Sequence, residues 1–231
     1  MVPQNKPQGL ERFRQAQYWT VLAMIVVSYV LCARQTTPEP SPVALLVQLF
    51  TVAVVLWVTH VRVRLLRVAL VVLGIAVAGV AAVAILGLSG QGLALSLSVM
   101  SMGAYLIAPV AIVWHVLHRP LIDQQTLLAA ISAYLLVGMF FTFVYNAISL
   151  VTSVPTFGDG QPNSLTSQLF FSFSTLTTTG YGNLVPVGSG LQTIAVFEAI
   201  TGQLFLVIAV ARVVSAWVPH RPGQADRKEA D

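Results

Sequence analysis

Read from its amino terminus, the chain alternates between long apolar runs without a charge and short polar breaks. A helix rises about 1.5 Å per residue, so a hydrocarbon layer about 30 Å thick is crossed by roughly 20 apolar residues. Runs of that size stand at 16–33, 43–59, 68–88, 93–117, 127–151 and 191–217, the last interrupted by Glu198 and Arg212, and they predict six transmembrane helices. The breaks carry turn and stop signals: Pro38, Pro40 and Pro42 after the first run, Ser89-Gly90-Gln91-Gly92 after the third, and His118-Arg119-Pro120 after the fourth. Segment 164–178 departs from the pattern. It follows a polar loop, 152–163, rich in Pro and Gly, and it is too short and too rich in Ser and Thr to cross a bilayer, which predicts a re-entrant helix.

Composition narrows the function. Of 231 residues 56% are hydrophobic and only 9% charged, which excludes a soluble globular enzyme. The sequence shows no nucleophile–base pair, phosphate-cradling loop or carboxylate dyad, so catalysis is not expected. The net charge of +4 comes from Lys and Arg scattered between hydrophobic runs, the pattern of topology determinants rather than of a nucleic-acid surface. The one cysteine, Cys32, excludes an intrachain disulfide framework and any multi-cysteine metal site.

Short cytoplasmic loops retain positive charge. With the amino terminus inside, Lys6, Arg12, Arg14, Arg62, Arg64, Arg67, Arg119, Arg212, Arg221, Arg227 and Lys228 lie on the inner side, and Arg34 alone lies outside. This predicts a multi-pass plasma-membrane protein with both termini cytoplasmic and with the 152–163 loop and the re-entrant segment on the outer face. Residues 1–15 are polar and lack a secretory signal, so the first span is expected to remain in the mature chain. Arg62, Arg64 and Arg67 do not form a voltage sensor, which needs Arg at every third position through an apolar span; these are spaced two and three apart ahead of the third span. Weak voltage dependence is therefore expected.

The chemistry is concentrated in Phe170-Phe171-Ser172-Phe173-Ser174-Thr175-Leu176-Thr177-Thr178-Thr179-Gly180-Tyr181-Gly182-Asn183. Irregular backbone sits at membrane depth only where protein or a water-filled cavity surrounds it. Gly180 and Gly182, flanking one aromatic residue, permit a backbone whose successive carbonyls point one way. Rings of such carbonyls replace the hydration shell of a potassium ion.

On these residues, segment 127–217 resembles the pore module of the tetrameric potassium-channel superfamily: outer helix, pore helix, filter and inner helix in that order. Thr178-Thr179-Gly180-Tyr181-Gly182 matches the family's Thr-Val-Gly-Tyr-Gly except at Thr179, which keeps the β-branch and adds a hydroxyl. The resemblance implies that the backbone oxygens of Thr178, Thr179, Gly180 and Tyr181, with the Thr178 hydroxyl, line K+ sites, and that Gly182 completes the outer mouth. It implies that Phe170 and Phe171 form an aromatic cuff around Tyr181. Asn183 stands where Asp is commoner, Asn183-Leu184-Val185-Pro186 resembles the same stretch of some two-pore-domain channels, and Gly202 stands where the family places its inner-helix hinge. Ser174 occupies the position from which some potassium channels support the filter with a carboxylate.

Glu198 is the one acidic residue deep in a predicted span, and an intramembrane ionisable group is a functional candidate by default. Three readings stand open. It supports the filter by bonding the pore helix around Ser174 or Thr177, it faces the cavity and attracts cations, or it is a neutral structural group.

The expected protein is thus an all-α polytopic membrane protein of six transmembrane helices plus a re-entrant pore helix and selectivity filter. It divides into a four-helix N-terminal membrane domain (1–126), a pore domain (127–217) and a short cytoplasmic tail (218–231). The expected activity is passive K+ conduction by a homotetramer, because each chain supplies one strand of a ring that needs four. The alternatives are a weakly selective cation channel, suggested by Thr179, and a secondary transporter, which would show interrupted helices in both halves. No cofactor is expected beyond the permeant ion, and no nucleic-acid partner; regulation falls to membrane lipid, pH or a separate subunit.

Overall fold

The computed structural model describes residues 8–38, 41–58, 71, 74, 78, 91–117, 124–152, 155–158 and 160–217. Among them the chain is helical: α1 (Gln8–Ala33), α2 (Pro42–Val58), α3 (Gln91–Leu117), α4 (Gln124–Thr152), α5 (Leu165–Leu176) and α6 (Ser189–Trp217). Extended pairing is limited there to one isolated bridge, Phe157 with Pro186.

Among the described residues three helices are long and apolar enough to cross a bilayer: Ala94–Val113, Thr126–Thr152 and Ser189–Arg212. The first and second expected spans form helices whose apolar stretches, Trp19–Ala33 and Leu46–Val55, are shorter. The third expected span lies outside the described residues except for Val71, Gly74 and Ala78, which are helical. Arg62, Arg64 and Arg67 also lie outside them, as does the tail.

Local signals account for the helix ends. Ser41 caps α2 by accepting the Ala44 amide at 3.1 Å, and Pro42 opens that helix where a missing N–H costs nothing. Ser164 caps α5 by accepting the Ser167 amide at 3.1 Å.

The larger of two buried apolar clusters among the described residues joins α1 to α5. Val21 and Ile25 of α1, Leu49 and Val52 of α2, Leu97 and Ile112 of α3, and Leu136 and Met139 of α4 belong to the same buried cluster as Leu165 and Leu169 of α5. The residues before and after position 126 therefore pack into a shared interior. Polar bonds cross it between helices: the hydroxyls of Ser28 and Thr51 meet at 3.2 Å, Ser101 donates to Gln48 Oε1 at 2.8 Å, and Asn146 Nδ2 donates to Ser98 at 2.6 Å. In a bilayer such bonds and close packing do the work that expulsion of water does elsewhere.

Candidate functional site

Helix α5 has 12 residues, about 18 Å of helix, too short to cross a layer about 30 Å thick. Two glycines let neighbouring helices close on it. A Cβ at Gly138 of α4 would lie 2.7 Å from the Phe173 ring. A Cβ at Gly202 of α6 would fall on the carbonyl oxygen of Leu176, the last residue of α5. That same carbonyl accepts a 3.0 Å bond from the Tyr134 hydroxyl of α4. Helix α6 runs unbroken through Gly202, and in this structure the glycine serves close approach of α6 to the end of α5. Gly202→Ala is therefore expected to lower the thermal stability of the assembled protein, by about 1–3 kcal/mol per chain for overpacking against backbone. Thermal unfolding in detergent checks this, and an unchanged midpoint would refute it.

Beyond α5 the backbone alternates. Thr178, Gly180 and Gly182 have φ of 56°, 55° and 77°, and Thr178 is the only non-glycine among the described residues with positive φ. A β-branched residue there stores strain of about 1–3 kcal/mol. The amides show what opposes that strain. The N–H of Thr178 donates to Thr175 O at 2.9 Å, and those of Thr179 and Gly180 both donate to Ser174 O, at 2.8 and 3.1 Å. In a trans peptide the C=O points opposite to the N–H that follows it. With the amides of Thr179 and Gly180 turned back to α5, the carbonyls of Thr178 and Thr179 point away from it. Residues 177–183 are all exposed in the single chain. The row of oxygens faces open space, and the carbonyl end of α5, the negative end of its dipole, lies directly behind it.

The Thr179 hydroxyl is accounted for. Thr177 Oγ1 lies 2.7 Å from Phe173 O and 2.8 Å from Thr179 Oγ1. The single Thr177 proton goes to the carbonyl, so Thr179 donates to Thr177. The hydroxyl that departs from the family's valine is thereby tied to α5. The Thr178 hydroxyl donates to Thr177 O at 2.7 Å.

The paired phenylalanines part company. Phe170 stacks on Tyr181, centroids 5.4 Å apart and planes at 23°. Phe171 turns the other way, meeting Tyr145 edge-on at 5.1 Å and Phe157 at 5.2 Å in a buried cluster. Within the single chain Phe170 alone meets Tyr181, because consecutive helical side chains differ by about 100° and do not share a face. Ser174 holds the strand through its backbone carbonyl, while its hydroxyl bonds Phe171 O at 3.0 Å. Asn183 is exposed. After it the chain is tied down by Val187 N to Thr156 O at 3.0 Å and by Gln192 Nε2 to Pro186 O at 3.2 Å.

Glu198 is fully buried. Its carboxyl group joins three helices: Tyr145 of α4 donates to Oε2 at 2.6 Å, and Ser172 of α5 donates to Oε1 at 2.5 Å. The same Ser172 hydroxyl is 2.8 Å from Gly138 O of α4. The contact with α5 is made two residues before Ser174, and Thr177 is engaged elsewhere. Tyr145 and Ser172 were not among the residues singled out in the sequence. A tyrosine beside Asn146 in an otherwise apolar span was the available signal, since polar groups there need partners.

Residues 129–218 match a family model described as an ion channel. This stretch is similar to the pore domain of ion channels. Over 80 residues, 35% of the chain, it is 34% identical to the inward rectifier potassium channel Kirbac3.1 of Paramagnetospirillum magnetotacticum. The chain spans 25% of that channel's length. No solved structure matches the chain significantly. The match covers α4 from residue 129, α5, the alternating segment and α6, so every contact described above between those elements falls within the matched stretch.

Proposed function

We propose that the chain is the subunit of a potassium-selective channel, a homotetramer conducting K+ passively through a filter made by residues 178–182. The carrying observation is the alternation of positive φ at Thr178, Gly180 and Gly182 with the amides of Thr179 and Gly180 turned back onto Ser174. That backbone offers Thr178, Thr179, Gly180 and Tyr181 oxygens for dehydrating a cation, and four copies close the ring. The exposed apolar face of α6, with Val196, Phe197, Ile200, Leu204 and Val207, suits a helix packed against neighbouring copies and lipid. Tying the Thr179 hydroxyl to α5 favours selective over weakly selective conduction. Phe170, Ser174 and Glu198 support the filter, Phe171 supports the packing behind it, Asn183 stands at the outer mouth, and Gly202 lets α6 close on the end of α5. The six-span plasma-membrane topology with cytoplasmic termini completes the reading.

Purified protein in liposomes under opposed potassium and sodium gradients tests it. The reversal potential is expected to follow the potassium gradient, and one that ignores it would overturn the proposal. Stepping the same membranes between about −100 and +100 mV is expected to reveal shallow dependence of open probability. A steep sensor uses three or four charges per subunit, and an effective charge that large would contradict weak gating.

A further inference from the structure

The first four N–H groups of a helix lack intrahelical partners, and buried ones must find others. In α5 those of Leu165, Thr166 and Ser167 have partners outside the helical ladder, and two of the partners come from the far end of the sequence. Leu165 N donates to Thr37 O and Thr166 N to Gln35 O, both at 3.2 Å; Ser167 N goes to the Ser164 side chain and Gln168 N to Ser164 O. The Thr166 hydroxyl adds a donor directed at Gln35 O, 2.8 Å, and Ala33 O, 3.1 Å. The turn that supplies these carbonyls is itself held by Gln35, whose N–H donates to Cys32 O at 3.1 Å and whose Oε1 accepts from Ser41 N at 3.0 Å. Two helical turns further along α5, Tyr29 of α1 meets Phe173 edge-on, centroids 5.1 Å apart. Phe173 and Ser174 are the residues whose carbonyls hold Thr177, Thr179 and Gly180.

We propose that α1 and the turn at 33–37 are a positioning arm for α5: they grip it at its first turn and at Phe173, and so set where its carbonyl end presents the filter strand. This rests on the channel reading above and assigns a role to residues outside the pore module. Gln35, Thr166 and Tyr29 are positioning residues. They touch no permeating ion and act through α5. A short helix with polar bonds at both ends moves as one body, so freeing its first turn loosens the amide anchors at Ser174.

The test uses the full chain in liposomes, comparing Thr166→Val, Thr166→Ser and Gln35→Ala with the unmodified protein. Open probability and reversal potential are recorded, and amide hydrogen exchange is followed over 165–168 and 177–182. Thr166→Val and Gln35→Ala are expected to lower open probability about tenfold and to speed exchange at Thr179 and Gly180 by a similar factor, with reversal potential unchanged. Thr166→Ser, which keeps the hydroxyl, is expected to restore both readouts. Wild-type open probability and exchange in both Thr166→Val and Gln35→Ala would overturn the proposal. Should Thr166→Val fail to assemble, Gln35→Ala decides alone, because its side-chain bonds go to Leu31 O and Ser41 N and none goes to α5. An unmodified protein whose reversal potential ignores potassium would defeat the channel reading instead, and the exchange comparison would still decide the arm.

Discussion

Replacing Gly180 with Ala is expected to abolish potassium-selective flux while leaving the assembled protein intact. The added methyl has room, since nothing stands within 4 Å of its position in the chain. What opposes it is the backbone: at φ +55° an L-residue is disfavoured by about 1–2 kcal/mol, and one penalty falls on each chain of the ring. Gly180 also follows Thr178, which already holds the same strained conformation with a branched side chain. The relaxed alternative swings an amide away from Ser174 O and turns the carbonyl before it out of line. Flux measured in liposomes alongside size-exclusion of the same preparation checks this. Undiminished selective flux in a correctly assembled variant would show that Gly180 lies outside the filter.

Glu198→Val is expected to collapse steady conduction, and Glu198→Gln to retain part of it. Valine leaves the Tyr145 hydroxyl without its acceptor in a water-poor interior, at a cost of about 1–3 kcal/mol, and cuts the tie from α6 to Ser172, whose hydroxyl keeps only the Gly138 carbonyl of α4. Glutamine keeps one acceptor oxygen and adds donors, so at least one of the two bonds persists. Because the carboxyl joins α4, α5 and α6 behind the filter, the loss should appear as faster or deeper inactivation rather than as lower single-channel conductance. Single-channel records separate these outcomes. A conductance change alone would favour a cavity-facing Glu198, and a Val variant with wild-type open probability would sink the supporting role.

The parts of this molecule that were legible in the sequence are those written in side-chain type. Long apolar runs mark α3, α4 and α6, charge-free in the first two and interrupted in α6 only by Glu198 and Arg212, because lipid tolerates little else over that length. Gly180 and Gly182 mark the strand because positive φ is cheap for glycine. Thr178 was legible from family resemblance only, since nothing in a threonine announces a left-handed backbone. The split between Phe170 and Phe171 was open to a simpler argument: neighbours on a helix cannot both face one tyrosine. The partners of Glu198 were not legible, because the rotational phase of α4 against α6 decides that Tyr145 meets it. The grip of Gln35 and Thr37 on α5 runs through backbone carbonyls, which every residue carries and which leave no mark in the sequence.

The shared interior bears on modularity. A pore unit that ends its own core at its own boundary can be exchanged between channels as a cassette, with the remaining helices hung on as accessories. Here Leu165 and Leu169, at the start of α5, are buried with Val21, Ile25 and Leu49, and the first turn of α5 borrows its hydrogen-bond acceptors from the turn after α1. A chimera that grafted 127–217 onto foreign N-terminal helices would arrive with a bare apolar flank and two orphaned amides. Variation in these two stretches is therefore bound to be mutual, with each tolerated change in α1 restricting the side chains that α5 can accept.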